Sequence, residues 1–130
     1  VYAECGGAVY LGEGLEVEDR FYPFAGVFPV DYRLHRKPQG HGYTLLEVDR
    51  ENPFFPRGVH LKGHEFHYAG VRNLDRSAVR FACRVKRGYG FDGCREGLYT
   101  RNVYASFSHL HALGESNWAD QFLARVAHAA

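Results

Sequence analysis

The chain has 130 residues, 45% of them hydrophobic and 15% aromatic, which is enough for one domain with a single core and too apolar for disorder. Sixteen basic residues against fifteen acidic ones leave a net charge of +1, without the strong basic excess of a dedicated nucleic-acid binder. No apolar run approaches the roughly eighteen residues of a membrane span, no charged leader opens the chain, and three cysteines without paired metal spacing argue against a disulfide framework, so a reducing cytoplasm with no nucleic-acid or membrane partner is expected.

The first element is the most informative. Val1 to Glu4 reads as a buried strand, Cys5 as the residue at its tip, Gly6-Gly7 as a turn, and Ala8 to Leu15 as a short helix closing near Gly12 and Gly14. This is the layout of a nucleophile elbow, in which the nucleophile sits on a strained strand-to-helix turn. Such a turn needs small residues two places either side, and Ala3 and Gly7 meet that need. Backbone N–H groups opening the helix would face the sulfur, lower the thiol pKa and hold an oxyanion. The chain contains no methionine and opens inside this core strand, as the C-terminal part of a longer polypeptide would.

Residues 16–24, acidic then aromatic, read as a loop. Gly26 to Val30 reads as a short strand that Pro29 places at an edge or an end. Arg33-Leu34-His35-Arg36-Lys37 is the one basic cluster, and reads as a solvated loop rather than an anion or partner-domain contact. His41 to Val48 alternates as a half-buried strand, and Pro53 and Pro56 mark a turn-rich break over 52–57. Strands follow at Leu61 to Ala69 and at Val79 to Val85. After a loop over Gly88 to Gly93, Leu98 to Phe107 holds one or two more. The last element is a helix: Trp118, Phe122 and Val126 recur at i, i+4 and i+8, Asp120 suits its first turn, and Ser116 reads as its N-cap.

Eight histidines are many for this length. In Gly63-His64-Glu65-Phe66-His67-Tyr68, alternation puts His64, Phe66 and Tyr68 on one face and Glu65 with His67 on the other, so Glu65 and His67 can form an acid–imidazole pair. In Ser106-Phe107-Ser108-His109-Leu110-His111, His109 and His111 share a face only if a strand continues through them. A cysteine nucleophile needs a base that reaches it in space. His67 and His109 are the candidates, and spacing alone does not rank them. A zinc site drawn from Cys5, His64, His67, His109 and His111 lacks the close ligand spacing of zinc modules.

Taken in series, Tyr2-Ala3-Glu4-Cys5-Gly6-Gly7, Gly63 to Tyr68 and Ser106 to His111 resemble the C-terminal glutaminase domain of the cobyrinate/cobyrate synthase group of class I (triad) glutamine amidotransferases, cobyrinate a,c-diamide synthases among them. The resemblance implies an α/β fold, a class I glutamine amidotransferase-like (flavodoxin-like) three-layer sandwich. Residues 1–130 would be its C-terminal portion, running from the elbow to the last helix. The rest of the domain and an ATP-binding synthetase domain would lie upstream. It implies glutamine as substrate and a corrinoid or other tetrapyrrole as acceptor, whose a and c carboxylates are amidated in cobalamin biosynthesis. It implies no cofactor or metal in this chain, ATP and Mg2+ in the synthetase domain, and a possible homodimer.

In that group the catalytic histidine lies in the late motif. This favours His109, leaves His67 with Glu65 as the secondary candidate, and gives Gly6 part of the oxyanion hole. Triad relatives place Pro-Glu after their histidine, whereas Leu110-His111 follows here, so His111 replaces the expected carboxylate and no third member is assigned. Glu115 has no better claim than a solvated helix-start carboxylate. The second motif also departs, reading Tyr68-Ala69 where Tyr-Ser is frequent. Two other readings share these residues. One is an amidase acting on sirohydrochlorin, its nickel form or siroheme. The other is a non-catalytic α/β interaction module.

Overall fold

The computed structural model describes residues 1–129. In chain order the elements are β1 (Tyr2–Glu4), α1 (Gly6–Tyr10), β2 (Gly14–Val17), β3 (Arg20–Pro23), β4 (Val30–Leu34), β5 (Gly40–Val48), β6 (His60–His67), β7 (Ala69–Leu74), β8 (Arg80–Arg87), β9 (Arg95–Thr100), β10 (Val103–Ser106), β11 (His109–Leu110) and α2 (Trp118–Ala129). A seven-stranded sheet runs β1-β10-β9-β8-β5-β6-β11, and a four-stranded sheet runs β3-β2-β4-β7.

Strand alternation makes the large sheet two-faced. Ala3, Phe81, Leu98 and Ala105 point to one side, where they meet α1 and the β4 residues Val30 and Tyr32 of the small sheet. Tyr2, Ala82, Tyr99 and Tyr104 point to the other, where Phe54, Phe55, Trp118 and Phe122 cover them. Tyr2 stacks on Tyr104 with ring centroids 5.4 Å apart. The expected three layers are therefore present, with one difference: one outer layer is a small sheet with α1, and α2 covers the opposite face together with the Phe54-Phe55 segment.

Within this α/β class several sequence expectations are corrected. The first helix stops at Tyr10, not Leu15. A side chain at Gly12 would stand 2.6 Å from the Tyr32 ring and the Val30 carbonyl, and one at Gly14 would run into Phe21 and Tyr22, so this stretch lies flat against strands instead of coiling. The expected loop over 16–24 is the β2–β3 hairpin. Its turn puts Glu18 and Asp19 at φ 48° and 64°, the conformation that Asn-Gly usually signals, and Glu-Asp gives no such cue. The strand expected at 26–30 begins only at Val30 and runs through Leu34, which takes Arg33 and Leu34 of the basic cluster out of any loop. There Arg33 Nε pairs with Glu16 at 2.6 Å, and Arg72 meets Glu16 and Asp31 from β7. The strand expected at 61–69 breaks at Tyr68, where the chain passes from the large sheet to the small one. The last helix starts at Trp118, and the Asn117 carbonyl accepts its first turn from Gln121, so Ser116 is not the cap.

Candidate active site

Cys5 ends β1 at φ 50°, ψ −107°, outside the regions a side-chain-bearing residue prefers. Conformations of this kind cost on the order of 1–3 kcal/mol and persist where the surroundings impose them. Here they do. The Cys5 N–H donates to the Ser106 carbonyl at 2.7 Å, and the Cys5 carbonyl accepts from Val9 at 3.1 Å to open α1. A side chain at Gly7 would stand 3.2 Å from the Ala3 methyl, so the small pair expected around the elbow is what lets strand and helix close on each other.

The sulfur is half-buried, 3.8 Å from the Phe66 carbonyl oxygen on β6. Burial pushes its thiol up from the ordinary value. The Gly6 N–H, directed at the sulfur, opposes this, and the neighbouring Glu4 carboxylate reinforces it. The expected lowering of the thiol pKa is therefore present as a contribution and outweighed in sum, because desolvation and one adjacent negative charge exceed one N–H dipole. A cleft of about 510 Å³ opens beside the sulfur, with Tyr10, Phe66, Tyr68 and Phe107 among its mostly apolar walls.

The parallel register of β1 on β10 sets Glu4 opposite Ser106, two residues before Ser108 and three before His109. His109 begins β11, paired with His64 of β6, and the two imidazoles stack at 5.1 Å. Its Nδ1–H donates to Glu4 Oε2 at 3.2 Å. Glu4 Oε1 accepts from the Leu110 N–H at 3.0 Å and the Tyr2 hydroxyl at 3.2 Å. With Nδ1 engaged by Glu4, Nε2 is the ring nitrogen left without a partner among the described residues. Cys5 touches β6 at Phe66 and His109 stacks on it at His64, two residues apart and so separated by about 6–7 Å along the strand.

His67 sits differently. It is 4% exposed, its Nδ1 donates to the Ala69 carbonyl at 2.7 Å, and its Nε2 lies 3.2 Å from Glu65 Oε2. Its ring stacks on Phe107 at 3.9 Å. The expected Glu65–His67 pair is thus present, with both ring nitrogens engaged and neither left for proton transfer at the sulfur. Burial alone would raise the Glu65 carboxyl, but His67 and the N–H groups of Gly90 and Tyr89 hold it below the usual range. His111 lies just after β11, where its Nδ1 accepts from the Leu113 N–H. Glu115 is half-buried beside Trp118, and burial pushes its carboxyl up. The five residues of the conceivable zinc site do not converge: His67 faces the core while His64 lies on the outer face of β6. No group of three or more metal-ligating side chains gathers among the described residues.

Two carboxylates escaped the sequence reading. Glu4 was legible only as a strand residue beside Cys5, and its partner lies 105 positions away. Glu96 lies wholly buried beneath Phe107-Ser108, in a segment with no motif.

Residues 1–117 match the family model described as a CobB/CobQ-like glutamine amidotransferase domain. A cobyrinate a,c-diamide synthase of Magnetococcus marinus is 40% identical over 125 residues, which is 96% of this chain and 26% of that protein. One from Archaeoglobus fulgidus is 34% identical over 126 residues, or 97% and 27% of the two. The chain thus spans about a quarter of the length of these relatives. Among solved structures, a glutamine amidotransferase superposes with a TM-score of 0.64 at 18% identity, covering 97% of this chain and 60% of that one. A putative GMP synthase component from Thermoplasma acidophilum superposes at 0.60 with 19% identity, covering 98% and 57%. Both are likenesses of fold.

Proposed function

The chain belongs to the CobB/CobQ-like glutamine amidotransferase domain family, and from that premise we propose that it hydrolyses the side-chain amide of glutamine with Cys5 as nucleophile and His109 as general acid and base. The observation that carries the reading is the Glu4–His109 bond one residue from the strained elbow, because it leaves Nε2 as an available acceptor beside the strand segment that the sulfur touches.

The steps follow from these groups. His109 Nε2 takes the proton of the Cys5 thiol, which burial keeps from ionising on its own. The thiolate attacks the glutamine Cδ, and the Gly6 N–H stabilises the developing oxyanion. The C–N bond breaks as His109 returns the proton to the leaving nitrogen, releasing ammonia and a glutamyl thioester. Water, deprotonated by His109, attacks the thioester, and glutamate leaves as the proton returns to the Cys5 sulfur. Glu4 holds the imidazole in the tautomer this cycle requires. His67, engaged on both sides, braces the floor of the site through Phe107.

The relatives named cobyrinate a,c-diamide synthase support a tetrapyrrole carboxylate as the ammonia acceptor. In this reading the amidation uses ATP and Mg2+ on a part of the protein outside this chain, in a cytoplasmic setting. The test is Cys5→Ala in the full-length protein. Glutamine-dependent amidation should vanish while amidation with free ammonia persists. Continued use of glutamine would remove Cys5 from the mechanism.

A further inference from the structure

Glu96 has no part in the cycle above, yet it stands where the two reacting groups are joined. Its side chain is fully buried, and no lysine, arginine or histidine pairs with it among the described residues. Its carboxylate meets backbone donors and one hydroxyl instead. Oε1 accepts from Gly97 at 2.8 Å and from Phe107 at 3.2 Å, and Oε2 accepts from the Ser108 N–H at 3.3 Å and its hydroxyl at 3.4 Å. Three of these four donors belong to Phe107-Ser108, the two-residue link between β10 and β11. The residue before the link, Ser106, receives the N–H of Cys5. The residue after it is His109, tied to Glu4. From its other side the link is held by His67, stacked on Phe107 and itself bonded to Glu65.

A carboxylate suits this place because it offers several lone-pair sites and no donor, so it can satisfy converging N–H groups that an amide would partly repel. A buried anion without a cation is costly, and an apolar side chain would avoid that cost. We infer that Glu96 is a positioning residue for glutamine hydrolysis: its buried carboxylate fixes the Phe107-Ser108 link and thereby sets where His109 stands relative to the Cys5 sulfur. This rests on the reading of Cys5 and His109 as the reacting pair.

The ionisable groups facing Glu96 are Glu65 of β6, Tyr2 of β1, Tyr32 of β4, Cys83 of β8 and Tyr104 of β10, and none is a cation. Burial therefore pushes the Glu96 carboxyl up to about 7, and the N–H groups of Gly97, Phe107 and Ser108 only partly oppose this. Protonation in mild acid removes acceptor capacity from the link.

The experiment compares wild type, Glu96→Gln and Glu96→Asp in the full-length protein, reading kcat and KM for glutamine hydrolysis across pH alongside circular dichroism. A displacement of about 1 Å at reacting groups costs on the order of 10²-fold. The expected result is a folded Glu96→Gln protein with KM within about twofold of wild type, kcat lowered at least about tenfold and the acid limb of kcat displaced, with Glu96→Asp recovering part of the loss. A folded Glu96→Gln protein with kcat within about twofold and an unmoved acid limb overturns the inference. So does a proportional loss of kcat and helix signal that Glu96→Asp does not relieve. If neither variant folds, wild type decides. A change in amide-exchange protection at Phe107 and Ser108 with the same midpoint as the acid limb of kcat supports the inference, and pH-independent protection there overturns it. Glutamine hydrolysis that survives Cys5→Ala would instead strike the functional reading itself.

Discussion

Replacing Glu4 by Gln tests the bond that separates His109 from the other histidines. The amide keeps the shape and one acceptor for Leu110 and Tyr2, but it presents an NH2 or a weaker oxygen to His109 Nδ1, and so releases the tautomer. A hydrogen bond to a charged partner is worth about 1.5–3 kcal/mol. The side chains here are 35% and 23% exposed, and solvent screening reduces the figure to about 1–2 kcal/mol. At 1.36 kcal/mol per decade this is a loss of about 5- to 30-fold in kcat for glutamine hydrolysis. Removing the charge next to Cys5 also eases ionisation of the thiol, so the comparison belongs in a double-mutant cycle. Glutaminase kcat would be measured for wild type, Glu4→Gln, His109→Ala and the double variant. If Glu4 acts through His109, Glu4→Gln costs little once His109 is gone. An undiminished 5- to 30-fold loss in the His109→Ala background would show that Glu4 does not act through His109.

The two histidines should separate by readout. His109→Ala should lower kcat by about 10²–10⁴ with the unfolding midpoint near wild type. His67→Ala should cost less activity in the folded protein but about 3–5 kcal/mol in urea unfolding, because it strands the buried Glu65 carboxylate; the opposite pattern would exchange their roles. Because burial raises the Cys5 thiol, its alkylation rate by iodoacetamide should still be climbing at pH 9, where a free thiol of ordinary pKa has begun to level. A plateau below pH 9 would contradict the thiol environment described. Glu96 rises from an ordinary value of 4.5 to about 7 on folding, so the folded state holds a proton that the unfolded chain has released. Its contribution to stability should be greatest below about pH 4.5, fall by about 3 kcal/mol as pH rises to about 7, and stay level above. Urea unfolding of wild type against Glu96→Gln over that window reads it, and parallel pH curves would contradict it.

The elbow was legible in the sequence because its requirements are local. Cys5 must follow a strand, and Ala3 and Gly7 must be small, all within five residues. The alternation of β6 was legible for the same reason, since period two places Glu65 and His67 inward and His64 and Phe66 outward. What stayed hidden depends on pairing between distant strands. Glu4 meets His109 only because β1 lies parallel on β10, and Glu96 meets Phe107-Ser108 only because β9 lies beside β10. The β2–β3 hairpin was missed because Glu18 and Asp19 take positive φ without the glycine that ordinarily marks it. The Tyr68 break between sheets carries no glycine or proline of its own, and only the register of β6 on β5 and β7 on β4 reveals it.

The most direct test of the central claim is labelling of the full-length protein with the glutamine analogue 6-diazo-5-oxonorleucine, followed by peptide mapping. Stoichiometric modification is expected at Cys5 alone, blocked by glutamine and slowed in His109→Ala, with Cys83 and Cys94 untouched. Labelling spread equally over the three cysteines, or absent from Cys5 in a folded protein, would contradict it.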